Sequence, residues 1–287
     1  MTQTILLTGS GGFVGKNLKE WLGGKYELFC PVSKDLDLTN AQKVDDYLKS
    51  RNIDLIIHCA TTGGARGCVD PENCIEDNLA MVNNLLTSKK ITARVILFGS
   101  GAAYAKDREL HKVKETEIGK IIPNDKYGIS KMQIAQIAKT RTDLLCLNIF
   151  ACYGKYEKSS RFPTYAITQN INNQPIIINK NVIFDYLYID DLCKITEHFI
   201  KKFPLKKIIN ITPSQSISIA EIAKIVNKIG KNESKVYFKE QGMNFEYTGD
   251  NALLLEEIPN FDFTSIEQGL KELYDHIVNK YYSSELN

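Results

Sequence analysis

Short runs of almost wholly apolar residues alternate, through the first half of the chain, with longer stretches whose apolar positions recur every three or four residues. "TILLTG" (4–9) predicts a strand, "FVGKNLKEWLGG" (13–24) a helix closed by glycines, and "YELFCPV" (26–32) a second strand. "TNAQKVDDYLKSRN" (39–52) predicts a helix that Thr39 can cap. "DLIIHCA" (54–60) gives a third strand, "IEDNLAMVNNLLTSKK" (75–90) an amphipathic helix, and "RVILFGS" (94–100) a fourth strand. "YGISKMQIAQIAKT" (127–140) is a helix and "LLCLNIF" (144–150) a fifth strand. Strands that are apolar throughout, each followed by a helix, indicate a parallel sheet covered on both faces. With right-handed crossovers the result is a doubly wound α/β sheet.

From about residue 151 the pattern is less regular. "PIIIN" (175–179) and "VIFDYLYI" (182–189) are strand candidates, and helices are expected at 218–230 and roughly 264–281. No linker, repeat or low-complexity tract separates the two parts. Residues 1–150 are therefore expected to form the sheet domain, with parts of 180–215 returning to it, and residues 151–287 mainly a smaller α/β lobe. A length of 287 residues, 43% of them hydrophobic, suits this plan.

Charge narrows the partners. Thirty-six Lys and Arg against 34 Asp and Glu leave +2, so there is no basic footprint for a nucleic acid. No apolar segment approaches the ~20 residues needed to span a bilayer, and the amino-terminal "MTQTILLTGSGG" lacks the basic start of an export signal. A cytoplasmic protein with buried, reduced cysteines is expected: seven are present, none in a C-x-x-C pair. The four histidines (58, 111, 198 and 276) show no metal-ligand spacing, and no metal is expected.

"TGSGGFVG" sets Gly9, Gly12 and Gly15, with Phe13 and Val14, between the first strand and the first helix. Glycines in that turn let the backbone approach a pyrophosphate, and the helix N-terminus offers unpaired N–H groups. The strand–turn–helix context makes this a dinucleotide site. At the end of the second strand, Ser33 and Lys34 offer a hydroxyl and a cation suited to a ribose 2′-phosphate. Asp35 follows closely, so NADP is the expected cofactor with NAD left open.

"DKYGISK" puts Tyr127 and Lys131 four apart, on one helical face. A phenol holds its proton at neutral pH, and a nearby ammonium makes it a usable acid or base. Together with "DL" (37–38), "HCAT" (58–61), "NLAMVNNLL" (78–86), Ser100, "CYG" (152–154), "FDYLYIDDL" (184–192) and "NITPSQSISIAEIA" (210–223), these motifs resemble the extended short-chain dehydrogenase/reductases that act on nucleotide sugars. The resemblance spans nearly the whole chain and implies a Rossmann-type fold. By position it implies Ser100 on the substrate oxygen, Tyr127 exchanging the proton, and Lys131 binding the nicotinamide ribose and activating the tyrosine. It places Asp37 and Leu38 at the adenine, with Cys59, Ala60, Thr61, Asn78 and Phe150 along the cofactor. Thr62, Ala102 and Arg161 are expected at the substrate.

The same triad serves reductases, 4-epimerases and 4,6-dehydratases. Dehydratases of this family carry an Asp-Glu pair after the catalytic hydroxyl; here Gly101 and Ala102 follow Ser100. Local similarity is greatest to the GDP-L-fucose synthases, which invert carbons 3 and 5 with a cysteine two residues past the serine and a later histidine. Ala102 stands at the cysteine position, and Ser160 or Arg161 at the histidine position. The resemblance thus implies an NADPH-dependent reductase of a nucleotide-linked 4-keto-6-deoxy sugar, in surface-polysaccharide sugar biosynthesis. A 4-epimerase retaining NAD, or a non-catalytic cofactor sensor, are the alternatives. Phe184 stands where the family usually has an arginine. Asp185, Asp190 and Asp191 are expected to brace the lobe. The helices at 75–90 and 127–140 correspond to those that form a homodimer interface in the family.

Overall fold

The computed structural model describes residues 3–65, 67–87 and 93–285, the last five by backbone alone. The first part runs β1 (Thr4–Thr8), α1 (Phe13–Leu22), β2 (Glu27–Phe29), α2 (Ala41–Lys49), β3 (Leu55–His58), α3 (Cys74–Thr87), β4 (Arg94–Ser100), β5 (Leu110–Val113), α4 (Lys126–Lys139) and β6 (Leu144–Ile149). It continues through β7 (Ala151–Tyr153), α5 (Phe162–Ile171), β8 (Ile176–Ile178), β9 (Ile183–Phe184), β10 (Tyr186–Tyr188), α6 (Ile189–Lys201) and β11 (Ile208–Ile211). The chain closes with β12 (Ile217–Ser218), α7 (Ile219–Ile229), β13 (Val236–Phe238), β14 (Tyr247–Gly249), α8 (Ala252–Glu257) and α9 (Ile266–Glu285).

Among the described residues, six parallel strands form the central sheet in the order β11-β6-β4-β3-β1-β2. The chain leaves β1 for β2 on one side and then crosses to β3 on the other. That reversal opens a crevice beyond the carboxyl ends of β1 and β3, where such sheets bind ligands. Strand periodicity divides the core in two. Ile5, Leu7, Ile57, Ile96 and Leu147 point to one face, and Leu6, Ile56, Val95, Leu97 and Cys146 to the other. The first cluster continues through α6 into Phe162 of α5, Ile222 of α7 and Leu270 of α9, so the lobe and that sheet face share one core.

Local chemistry adjusts the element ends. The first helix stops at Leu22, because Gly23 and Gly24 follow and Gly24 takes φ +76°. The expected cap on α2 is corrected: Asn40, not Thr39, accepts from the Lys43 N–H, while Thr39 donates its amide and hydroxyl to Asp37. The second strand shrinks to three residues at the sheet edge, pairing with β1 alone among the described residues. Residues 88–90 of the third expected helix lie outside the described residues. "VIFDYLYI" splits at Asp185, whose fully buried carboxylate accepts from the Gly249 N–H (2.8 Å), Ser216 Oγ (2.6 Å) and Lys112 Nζ (3.3 Å). Asp191, equally buried, accepts from the Thr264 amide and hydroxyl (2.7 and 2.9 Å), tying α6 to the start of α9.

Removing a buried acceptor strands every donor it served. Asp185→Ala is expected to lower unfolding stability by about 2–3 kcal/mol, read as a shifted urea midpoint with little change in slope.

Candidate active site

The glycine turn after β1 is held by close approach. A Cβ on Gly9, at φ +68°, would lie 2.4 Å from the Ala60 nitrogen, and one on Gly15 would lie 2.2 Å from the Gly9 oxygen. Gly12 N–H donates to the Gly9 carbonyl at 3.0 Å and then serves as the cap of α1, with no side chain covering the helix N-terminus. The amides of the first turn therefore face the crevice. Here lies a cleft of about 430 Å³ lined by Gly9, Gly12, Ser33, Asp37, Leu38 and Ala60 among the expected residues, together with Val32, Leu36 and Met81. Hydrogen bonds from the Thr39 hydroxyl and amide hold the Asp37 carboxyl below its usual value.

Other expected cofactor residues stand elsewhere. Phe13, Val14 and Cys59 pack against the core, and Lys34 sits on the exposed turn outside the cleft lining. Asn78 is buried and acts as a brace: its Oδ1 accepts from Thr61 Oγ1 and the Thr62 N–H, and its Nδ2 donates to the Thr62 carbonyl and Ser130 Oγ. Thr62 itself does not line the second cleft described below. Phe150, expected at the cofactor, lines that second cleft instead.

The second cleft, about 720 Å³, holds Ser100, Ala102, Tyr127, Phe150 and Arg161 in one lining. Ser100 ends β4 and its Oγ accepts from the Ala102 N–H at 3.1 Å. Tyr127 lies in the first turn of α4, which Asp125 caps by accepting from the Gly128 N–H. Lys131 is buried behind it, with Nζ 5.5 Å from the Tyr127 ring centre and donating to the Phe98 carbonyl at 2.9 Å. Burial, with Lys131 nearby, lowers the imidazole of His58 to about 3, so His58 is neutral at physiological pH. Burial likewise pushes up the thiols of Cys59, Cys146, Cys152 and Cys193, whereas Cys68 is exposed at the cleft.

Three residues here carried no sequence signal. Asp70 accepts from the Gly64 N–H (2.8 Å) and the Tyr127 N–H (2.9 Å), fastening the loop after β3 to the start of α4. Tyr247 arrives from β14, and its hydroxyl would lie 2.4 Å from a Cβ on Gly101. Glu157 Oε1 accepts from the Thr164 amide and hydroxyl, while Oε2 is buried without a partner among the described residues. These residues are single and aperiodic in sequence; only folding brings them to the cleft.

A glycine-lined crevice at the strand-order reversal, together with a second cleft that gathers a serine and a tyrosine in front of a buried lysine, defines a Rossmann-type dinucleotide-dependent oxidoreductase. The profile of the NAD dependent epimerase/dehydratase family matches residues 5–212, and the chain belongs to that family. It is 26% identical over 303 residues to GDP-L-colitose synthase of Yersinia pseudotuberculosis, covering 96% of this chain and 98% of that one. Identity is also 26%, over 301 residues, to GDP-6-deoxy-D-talose 4-dehydrogenase of Aggregatibacter actinomycetemcomitans, covering 94% and 96% of the two chains. Among solved structures, the NADP-bound GDP-mannoheptose C4 reductase MlghC of Campylobacter jejuni superposes with a TM-score of 0.84 at 18% identity, covering 96% of this chain and 98% of that one.

Burial pushes the Glu157 carboxyl up to about 7 from 4.5, against the hydrogen bonds from Thr164 and the charge of Arg161. The folded protein thus keeps a proton that the unfolded chain releases, and this group makes stability fall as pH rises between those values. Glu157→Gln cannot release it. The difference in melting temperature between pH 5 and pH 8 is expected to shift in favour of pH 8 in that variant, as measured by thermal denaturation.

Proposed function

We propose that this protein is an NADPH-dependent reductase of a nucleotide-linked 4-keto-6-deoxy sugar. The observation that carries this reading is the shared lining of Ser100 and Tyr127, with Lys131 behind them and residues without transferable protons, Gly101 and Ala102, immediately past the serine. The glycine cradle and uncapped α1 fit a pyrophosphate, and Ser33 on the rim fits a ribose 2′-phosphate. Relatives named for GDP-linked deoxysugars support a GDP-linked substrate. NADPH, when bound, supplies the hydride to C4.

Ser100 donates a hydrogen bond to the C4 oxygen, which gains negative charge as the ketone is reduced. Such a donor contributes about 3 kcal/mol when it is aimed at the developing charge. Tyr127 delivers the proton to that oxygen, with the buried Lys131 ammonium 5.5 Å from its ring centre. Arg161, at the start of α5, matches the geometry of a diphosphate. Glu157, which keeps its proton and whose Oε2 has no partner among the described residues, is the open polar group for a sugar hydroxyl. A homodimer through α3 and α4, which pack against each other and on the sheet, belongs to the same reading.

With NADPH and a panel of nucleotide 4-keto-6-deoxy sugars headed by GDP-linked ones, cofactor oxidation is expected with at least one. Tyr127→Phe is expected to lower kcat by at least about 100-fold. A folded wild type that oxidises NADPH with none of them overturns the reading. Tightly held NAD released on denaturation would point to a 4-epimerase instead.

Because Ala102 carries no proton-transfer group, carbons 3 and 5 of the keto sugar should not exchange. Mass spectrometry after incubation in D₂O without cofactor is expected to show no added deuterium. Incorporation abolished by Glu157→Gln would identify a proton-transfer role for that carboxyl.

A further inference from the structure

Tyr247 belongs to a strand far from the catalytic segment in sequence, yet its hydroxyl sits against the turn that presents Ser100. A Cβ on Gly101 would lie 2.4 Å from that hydroxyl and 2.7 Å from the Phe150 ring. Strand register fixes the placement, since Tyr247 pairs with Leu110 of β5 on one side and Phe184 of β9 on the other. Rings confine it further: Phe150 lies 5.3 Å and Phe184 5.8 Å from the Tyr247 ring centre, both tilted against it. The Tyr247 hydroxyl lies against the residue next to Ser100, both side chains line the same cleft, and burial pushes this phenol up, so it keeps its proton.

A serine hydroxyl has one proton and two lone pairs. One lone pair of Ser100 Oγ is taken by the Ala102 N–H. We propose that Tyr247 is a positioning residue whose O–H donates to the other lone pair of Ser100 Oγ, so that the serine proton is left to the substrate ketone oxygen. With both lone pairs engaged, Ser100 has no acceptor capacity to divert, and donation into its oxygen polarises its own O–H. The residue after the serine, where related enzymes place an acid, is a glycine because the Tyr247 phenol from β14 and the Phe150 ring from the end of β6 occupy that space. The part of the chain that lines the substrate cleft thereby sets the hydrogen-bond geometry of the chemical step.

This inference rests on the reductase reading, and a double-mutant cycle tests it. Single-turnover NADPH oxidation is measured for wild type, Tyr247→Phe, Ser100→Ala and the double variant, with steady-state KM for the sugar. Tyr247→Phe is expected to lower the hydride-transfer rate about tenfold, with KM within about twofold. In the Ser100→Ala background the same change is expected to do nothing further, because its target is gone. An equal loss in both backgrounds would show a merely structural role and overturn the proposal. So would an unchanged rate, or a faster one, which would mean that Ser100 donates to Tyr247 and must be freed from it. A wild type inactive on every sugar removes the reductase reading and this inference with it. An active wild type beside an unaffected Tyr247→Phe removes this inference alone.

Discussion

Strand β4 can deliver Ser100 to the cleft only because residue 101 has no side chain. Phe150 and Tyr247 fill the volume that a Cβ there would need. Phe150 in turn presses toward Gly249, where a Cβ would meet its ring at 2.6 Å. The two glycines and two rings form a wedge joining β4, the end of β6 and β14. Interiors are packed to the density of organic crystals, so such a wedge transmits position rather than absorbing it. Ser100, the second lobe and the sheet are registered to one another through this contact.

Around the wedge, polar side chains from distant segments do the fastening. Asn78 holds the loop after β3 with three hydrogen bonds and reaches Ser130 of α4 with a fourth, and Asp70 ties that loop to the Tyr127 amide. Asp185 and Asp191 do the same for β14 and α9. Beneath the sheet, Tyr104, Asn148 and Asn210 form a fully buried network, in which the Tyr104 hydroxyl donates to Asn210 Oδ1 at 2.6 Å and Asn148 Nδ2 donates to the Tyr104 oxygen at 3.2 Å. Each such group would be costly if left unpaired, which makes these loops unique in conformation rather than merely stable. Functional geometry in this chain is a product of those fasteners as much as of the triad.

Five of the six sheet strands, the glycine turn and the Tyr127–Lys131 pair were legible in sequence because each depends on neighbours within a few residues, whereas β11 was not read as a strand. Apolar runs show burial on both faces, and a spacing of four places two side chains on one helical face. Phe150 was expected at the strand end and at the cofactor, but it stands just past β6 and lines the second cleft. Asn78 was expected along the cofactor, and its role as a brace was not legible, since its partners lie in a loop and in α4. Thr39 lost its expected cap to Asn40 because Asp37 binds it locally, a competition between near-equal turn options that pattern alone does not rank.

By itself the sequence determined the parallel α/β sheet, the dinucleotide turn and the identity of the three groups expected to do the chemistry. Those features follow from local periodicity and from short spacings that backbone geometry converts directly into position. Only the tertiary structure decided what surrounds Ser100. Asp70, Glu157 and Tyr247 come from three separated segments, and no local rule links them to residue 100. Their roles arise from packing, which brings together groups distant along the chain and assigns each its hydrogen bonds and burial.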